Sequence, residues 1–419
     1  MISKLNRPIR IFVSDIQPII PAISGGRLRL AGIWGNIPDG FEMNYVGTFD
    51  DKTHRKKTKK LLSKNATEIL VPCSEEHFYH LSLLNAYFPG LTLFDVAFHR
   101  FAHFSKEYTA TSIEYLKEAD IIVFSHPWSY PLLKRFIDRD KQYVVYDAQN
   151  VESYLRKETL LKIQYREKGL ELLQEIIQLE IDLVSNADLI LACSQRDFEQ
   201  FNMLYGANQS KIILAPNGVK IPNSNCSTAL KRKFKKKWKL KRPHTVVFSG
   251  SNFEPNIKAL QFINKIANNC QEIDFIITGD INNAILPEEK CDNVHLVGLL
   301  SQKKLDELLQ MADAGLNPME SGSGSNVKIF TYMAASLPVI TTPIGARGVD
   351  VAVEGIFEGN EVMVISSLEE FEDKLKLLLP DIERRQRIGE NARKMVMLNY
   401  NWKEISKKVC QAMKLHFQL

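Results

Sequence analysis

Between Pro318 and Gly348 the chain reads PMESGSGSNVKIFTYMAASLPVITTPIGARG. Small residues at this density are wasted on a loop that only connects elements, but they suit one whose backbone must touch a ligand. The periodicity predicts a helix over Asn326 to Ala335, with Val327, Phe330 and Ala334 on its buried face and Pro338 stopping it. Ser323, Gly324 and Ser325 then fall at the helix N-terminus, where unpaired N–H groups and the positive dipole end favour phosphate. Lys328 and Thr331, three apart, share a helix face near that end, and a lysine there can neutralise a diphosphate as a point charge. Glu320, just before the glycines, can bond a ligand hydroxyl. The plainer alternative is a serine-capped connecting loop.

Two more loops of this half follow buried strand patterns. FSGSNFEPNIKAL puts Gly250 and Ser251 directly after a strand, with a helix starting near Pro255, and TTPIGARG puts Gly345 and Arg347 after another. Each alone is ordinary strand-to-helix chemistry; three such turns at successive strand ends suggest one shared ligand.

The elements that must position these loops are legible as alternating patterns. Apolar runs at 9–16, 120–126, 143–150, 188–194 and 211–219 read as strands buried on both faces, with a long helical stretch over 153–185. After a Pro/Asn/Ser-rich stretch near 217–227 the pattern restarts, with strands at 244–250, 274–280, 294–300, 314–319, 337–342 and 361–366. This is an α/β chain of two doubly wound parallel-sheet domains, as its 419 residues also suggest. The domains are expected at 1–219 and 220–400. An amphipathic segment at 401–419 is expected to pack back on the first. Ligands bind such sheets at the carboxyl ends of strands, and a cleft between the two domains is the expected site.

Composition narrows the class. Hydrophobic content of 45% and charged content of 25% are those of a soluble globular protein. No run approaches the roughly 20 apolar residues of a membrane span. The N-terminal apolar run is short and broken by Asp15, which favours a first strand over a signal peptide. Cys73, Cys193, Cys226, Cys270, Cys291 and Cys410 are scattered, so reduced thiols and no metal site are expected. The net charge of +5 concentrates in HRKKTKK (54–60) and LKRKFKKKWKLKR (230–242). The second reads as a solvated helix face, with peripheral contact to anionic lipid as the alternative; no nucleic-acid motif accompanies it.

The run from Pro318 to Gly348, preceded in order by APNGV, FSGS…PN…AL and VHLVGLL, resembles the retaining GT-B glycosyltransferases of family 4. The resemblance covers roughly 211–400 well, and the first domain only loosely, through SGGRLRL (24–30) and DAQNVES (147–153). It implies two facing Rossmann-like domains, with a nucleotide-sugar donor in the second and the acceptor largely in the first. By resemblance, Lys328 and the backbone of Gly324 and Ser325 would hold the donor diphosphate, and Glu320 would lie near the donor sugar. Asn326, Ser323, Gly250, Ser251, Thr331 and Arg347 would complete that side. Gly25 and Gly26 resemble the family's glycine turn, and His126 in SHPW its histidine facing the donor sugar. Asp147, Asn150 and Glu152 would border the acceptor.

Departures accompany the likeness. Where many members carry two glutamates spaced by seven residues, this chain has Ser323 and Thr331. Where many carry an arginine and a lysine after the second domain's first strand, it has Ser251 and Asn256, leaving Lys328 and Arg347 to supply charge. No Asp-x-Asp pair stands at a strand end of the second domain, which agrees with a metal-independent reaction without cofactor. The expected activity is transfer of a sugar from a nucleoside-diphosphate sugar to a glycan or lipid-linked acceptor, with retention, in cell-surface polysaccharide synthesis. The expected place is the cytoplasm, free or peripheral at the inner membrane face. A nucleotide-sugar epimerase of the same architecture and a non-catalytic nucleotide- or glycan-binding relative are the alternatives.

Overall fold

A computed structural model describes residues 7–22, 24–222, 228–281, 289–321, 326–349 and 361–419. The chain divides into one unit of Met1–Pro216 with Trp402–Leu419 and a second of Asn217–Asn401. The linker was expected near 217–227; the chain passes between the units after Pro216 and again after Asn401, and residues 223–227 are outside the described ones.

The first unit is built on an eight-stranded sheet. Its strands are β1 (Ile9–Ser14), β2 (Phe41–Gly47), β3 (Thr58–Ser63), β4 (Ala66–Leu70), β5 (Ile121–Phe124), β6 (Tyr143–Ala148), β7 (Leu189–Ala192) and β8 (Ile212–Leu214). The order is β3-β4-β2-β1-β5-β6-β7-β8, parallel except that β3 runs antiparallel to β4. Every residue of β5 and β7 is buried because both sheet faces are covered. Phe12, Ile122, Phe124 and Tyr146 enter the core on one face; Ile11, Val13, Ile121 and Val145 enter the core on the other. The chain winds leftward from β1 through β2 to β4 and then returns to place β5 on the other side of β1. That reversal opens a crevice at the carboxyl ends of β1 and β5.

The helices α1 (Gly25–Ile33), α2 (Glu75–Asn85), α3 (Lys106–Glu118), α4 (Glu152–Leu161) and α5 (Arg166–Asn186) cover these faces. The single helix expected over 153–185 is two, and buried Glu180 gives the reason. Its carboxylate accepts the N–H groups of Glu152 at 2.7 Å and Ser153 at 3.0 Å, and the hydroxyls of Tyr146 at 3.1 Å and Tyr205 at 2.6 Å. One carboxylate thus caps the start of α4 from the middle of α5, which requires α5 to fold back along α4. Gly169 permits the return, since a Cβ there would lie 2.0 Å from the Leu160 carbonyl oxygen.

The C-terminal helix Trp402–His416 belongs to this unit. Its Ile405, Val409 and Met413 join the core of Leu30, Ile33 and Trp34. Gly32 of α1 lets the Trp402 indole approach to where a Cβ would be 2.1 Å away.

The second unit holds β9 (His244–Ser249), β10 (Ile273–Thr278), β11 (Val294–Gly298), β12 (Ala314–Asn317), β13 (Val339–Thr341) and β14 (Val364–Ile365). All are parallel, in the order β11-β10-β9-β12-β13-β14. The same winding puts a second crevice at the carboxyl ends of β9 and β12. Three helices matter here: α6 (Thr228–Lys237), α7 (Glu254–Ala267) and α8 (Val327–Ala334).

The basic segment 230–242 forms α6 and the turn after it. Phe234 and Trp238 pack inward on the core. Lys231 and Lys235 pair with Asp313 at 3.7 and 3.5 Å, Lys237 with Glu307 at 2.6 Å, and Arg242 with Asp274 at 3.1 Å. Arg232, Lys233, Lys236, Lys239 and Lys241 face solvent. No helix among the described residues is long and apolar enough to cross a membrane.

Candidate functional site

At the β9/β12 crevice the chemistry gathers on α8. Tyr332 packs its ring where Gly315 of β12 has no Cβ; one would lie 2.4 Å from the ring. Its hydroxyl accepts the Ser249 N–H at the end of β9, 2.7 Å away. Lys328 lies one turn earlier on the same helix face. Its Nζ therefore comes over Phe248, 4.4 Å from the ring centroid, and donates to Asn256 Oδ1 at 2.7 Å. The Asn256 amide is held in turn, donating to the carbonyl and hydroxyl oxygens of Ser251, both at 3.1 Å. Ser251, Asn256 and Lys328 are thus one connected group. Burial pushes the Lys328 amine down to about 7, with no carboxylate among the described residues offsetting the effect.

The start of α8 is tied to the TTPIGARG turn. Asn326 donates its side-chain amide to the Gly345 carbonyl at 2.8 Å and its backbone N–H to the Arg347 carbonyl at 3.2 Å. Asn317 at the end of β12 bonds the same Gly345 carbonyl at 2.8 Å. A Cβ on Gly345 would lie 2.3 Å from Thr341 Oγ1, so only glycine fits. Because the Asn326 side chain is spent on Gly345, it gives the helix no side-chain cap. Glu320 is exposed beyond the end of β12. Thr331 bonds its hydroxyl back to the Val327 carbonyl at 3.3 Å. Ser323, Gly324 and Ser325 lie outside the described residues.

At the β1/β5 crevice His126 follows β5 and meets Asp15, which follows β1. Nδ1 is 3.0 Å from Asp15 Oδ1, and Nε2 is 3.7 Å from Glu152 Oε1. Glu152 also faces Arg156 at 3.5 Å, and Arg156 pairs with Asp95. Burial disfavours the charged imidazole, but the carboxylates of Asp15, Glu152 and Asp95 outweigh it and raise His126 to about 9. An imidazolium therefore stands at this strand end at neutral pH. Asn150 donates to Glu152 at 3.4 Å. Gly25 and Gly26 open the first turn of α1, capped by the Ser24 side chain. A Cβ on Gly26 would meet Gln149 Oε1 at 2.4 Å, and the buried Gln149 amide nitrogen has no partner.

Asp147 is not at the edge where the sequence reading put it. It is fully buried, accepting from Arg29 Nε at 2.9 Å and from Trp34 Nε1 at 2.8 Å. Both oxygens are engaged in the core, so Asp147 braces α1 against β6 and is unavailable to an acceptor. Its strand parity carried the signal: Val145 and Asp147 point to one face, Tyr146 and Ala148 to the other. The sequence reading also missed Asp15, Asp95 and Gln149, which sit beside the expected residues.

Residues 258–411 match the family model described as glycosyl transferase-like. No curated protein matches the chain. Anabaena HepE, solved with UDP and glucose, superposes with a TM-score of 0.68 at 13% identity, covering 97% of this chain and 99% of that one. Sucrose-phosphate synthase from Thermosynechococcus elongatus gives 0.70 at 14% identity, over 98% and 99%. The E. coli trehalose-6-phosphate structure bound with UDP-2-fluoro glucose gives 0.65 at 14%, over 97% and 99%. At such identities the likeness establishes the architecture: the chain has the GT-B glycosyltransferase fold, and residues 258–411 are similar to the glycosyl transferase-like family.

Proposed function

We propose that this protein is a retaining glycosyltransferase that moves a sugar from a nucleoside-diphosphate sugar to a glycan or lipid-linked acceptor. The observation that carries the reading is Lys328, a desolvated amine held by Asn256 over Phe248 on the first turn of α8. In the reaction the bond from the anomeric carbon to the diphosphate oxygen breaks, a bond to an acceptor hydroxyl forms, and that hydroxyl's proton is released. Negative charge grows on the leaving diphosphate. Lys328 and the α8 amides stabilise it without reorganising, because both are already oriented, and the proposal assigns no metal to this task.

Glu320 is assigned to the donor sugar, and the His126 imidazolium to the sugar's hydroxyls. Glu152 and Asn150 stand on the acceptor side. Thr331, with its hydroxyl turned to its own backbone, contributes little to ribose recognition, so base and ribose selectivity rests on other groups. UDP or UDP-sugar appears in the structures of HepE and the E. coli neighbour, which makes a uridine donor the first to test. Cytoplasmic synthesis of cell-surface polysaccharide is the proposed setting.

A thermal-shift panel of UDP, GDP, ADP and CMP with their sugars tests the donor assignment. A ligand at about 100 times its dissociation constant adds roughly 2.7 kcal/mol of stability. One nucleoside diphosphate is expected to shift the melting temperature well beyond the others. Silence from the whole panel would contradict the assignment.

A further inference from the structure

The basic run 54–60 has no part in the site described above, yet it stands beside a cavity of about 580 Å³ in the first unit. The cavity lies at the carboxyl ends of β2 and β4, and neither Asp15, His126 nor Glu152 lines it. We infer that it binds an anionic sugar, a glycan unit carrying a phosphate or carboxylate, as a distal part of the acceptor whose reacting end stands at Glu152 and Asn150; this assignment rests on the transfer proposed above.

Three segments form the walls. The loop after β2 supplies Lys52, His54 and Arg55, the start of α2 supplies Ser74 and Glu75, and the start of α3 supplies Ser105 and Lys106. Ser105 Oγ accepts the Ser74 N–H at 3.0 Å, fastening the two helix starts together so that both positive ends open on one space. The volume suits a ligand of one or two sugar rings. Its sides are aromatic as well as charged: Phe78 and Tyr79 line it, His54 stacks on Phe49 at 4.1 Å, and Lys52 Nζ is 5.7 Å from the Phe78 ring centroid. Flat rings beside hydroxyls and cations match the apolar face and polar rim of a sugar.

Among the lining residues Lys52, Arg55 and Lys106 exceed the carboxylates Glu75 and Glu107 by one, and the uncancelled cations lie on the loop after β2 and at the start of α3. Glu75 and Glu107 also line the cavity, and Asp51 holds His54 at 3.1 Å. The Arg55–Glu75 pair, at 3.9 Å and exposed on both sides, is weak. Beyond the lip, Lys57 and Lys59 of the basic run bond hydroxyls on α3, Thr111 at 2.9 Å and Tyr115 at 3.3 Å, so their charge is not cancelled by a carboxylate in those contacts.

Calorimetric titration of the whole protein with glucose 6-phosphate, glucuronate and neutral glucose tests the inference, using wild type and the Lys52→Glu/Lys106→Glu double variant. At least one anionic sugar is expected to bind wild type, tenfold or more tightly than glucose, and to lose at least tenfold in the variant. Nucleotide-induced stabilisation should persist in that variant. Binding of glucose 6-phosphate alone assigns a phosphorylated acceptor, and binding of glucuronate alone assigns an acidic sugar. Failure of both anions to bind, glucose binding as well as either, or an unchanged variant would overturn the site. Anion binding in a protein that binds no nucleotide sugar would overturn the acceptor role and the donor reading together.

Discussion

Lys328→Ala is expected to lose about 10- to 100-fold in affinity for the nucleoside diphosphate that stabilises the wild type, the range for one hydrogen bond to a charged group. The variant should be as stable as wild type without ligand, because it removes an amine whose burial no carboxylate among the described residues offsets. That separates a lost anion site from a damaged fold. The pH dependence carries the same claim. Free Lys328 titrates at about 7, and a bound diphosphate raises it, so binding takes up a proton above that value. Affinity should be highest below pH 7 and fall by about tenfold per pH unit above it, until the bound amine itself titrates. Titration calorimetry in buffers of different ionisation enthalpy reads the proton directly. Wild-type affinity that is flat from pH 6 to 9, or a Lys328→Ala protein that binds normally, would remove Lys328 from the donor site.

His126→Asn should reduce kcat by about 100-fold or more, the usual effect of removing one oriented donor from a transferring group. Stability supplies an independent reading. The folded imidazole titrates at about 9, above its ordinary value of 6.5. A raised value means that its stabilisation is fully present below about pH 6.5 and is lost as the pH rises through about 9. The melting temperature of His126→Asn should therefore lie below wild type at pH 6.5, with the gap closing towards pH 9. Lys328 titrates in part of that window, but in both proteins alike, so the difference isolates His126. A gap that stays constant with pH would mean that His126 is neutral and that its carboxylate neighbours act on something else.

How much of this was legible in the sequence varied with the physics of each segment. The six strands described in the second unit were visible as apolar runs, most clearly where a parallel strand is covered on both faces, as in the fully buried Ile273–Thr278. In the first unit β2, β3 and β4 were missed. The edge strand Thr58–Ser63 is mostly exposed and lysine-rich, so it reads as a charge run. The split between α4 and α5 depends on Glu180 reaching back across the fold, which no local pattern encodes. At the site, Lys328 and the glycine turns could be found from spacing alone. Its partner Asn256 and the raised titration of His126 could not, since both arise from contacts between distant residues. The residues at the heart of the opening motif, Ser323 to Ser325, lie outside the described ones.

The central claim is sugar transfer, and the most direct measurement is donor turnover followed by NMR. Wild-type protein is incubated with the sugar conjugate of whichever nucleotide the binding panel selects, with water or a glycan mixture as acceptor. The account expects release of the nucleoside diphosphate, slowed strongly in Lys328→Ala, with the first-formed product keeping the anomeric configuration of the donor. Inverted product would contradict retention. Tight binding of the donor with no release of nucleoside diphosphate would contradict the transferase reading itself and leave a protein that only binds.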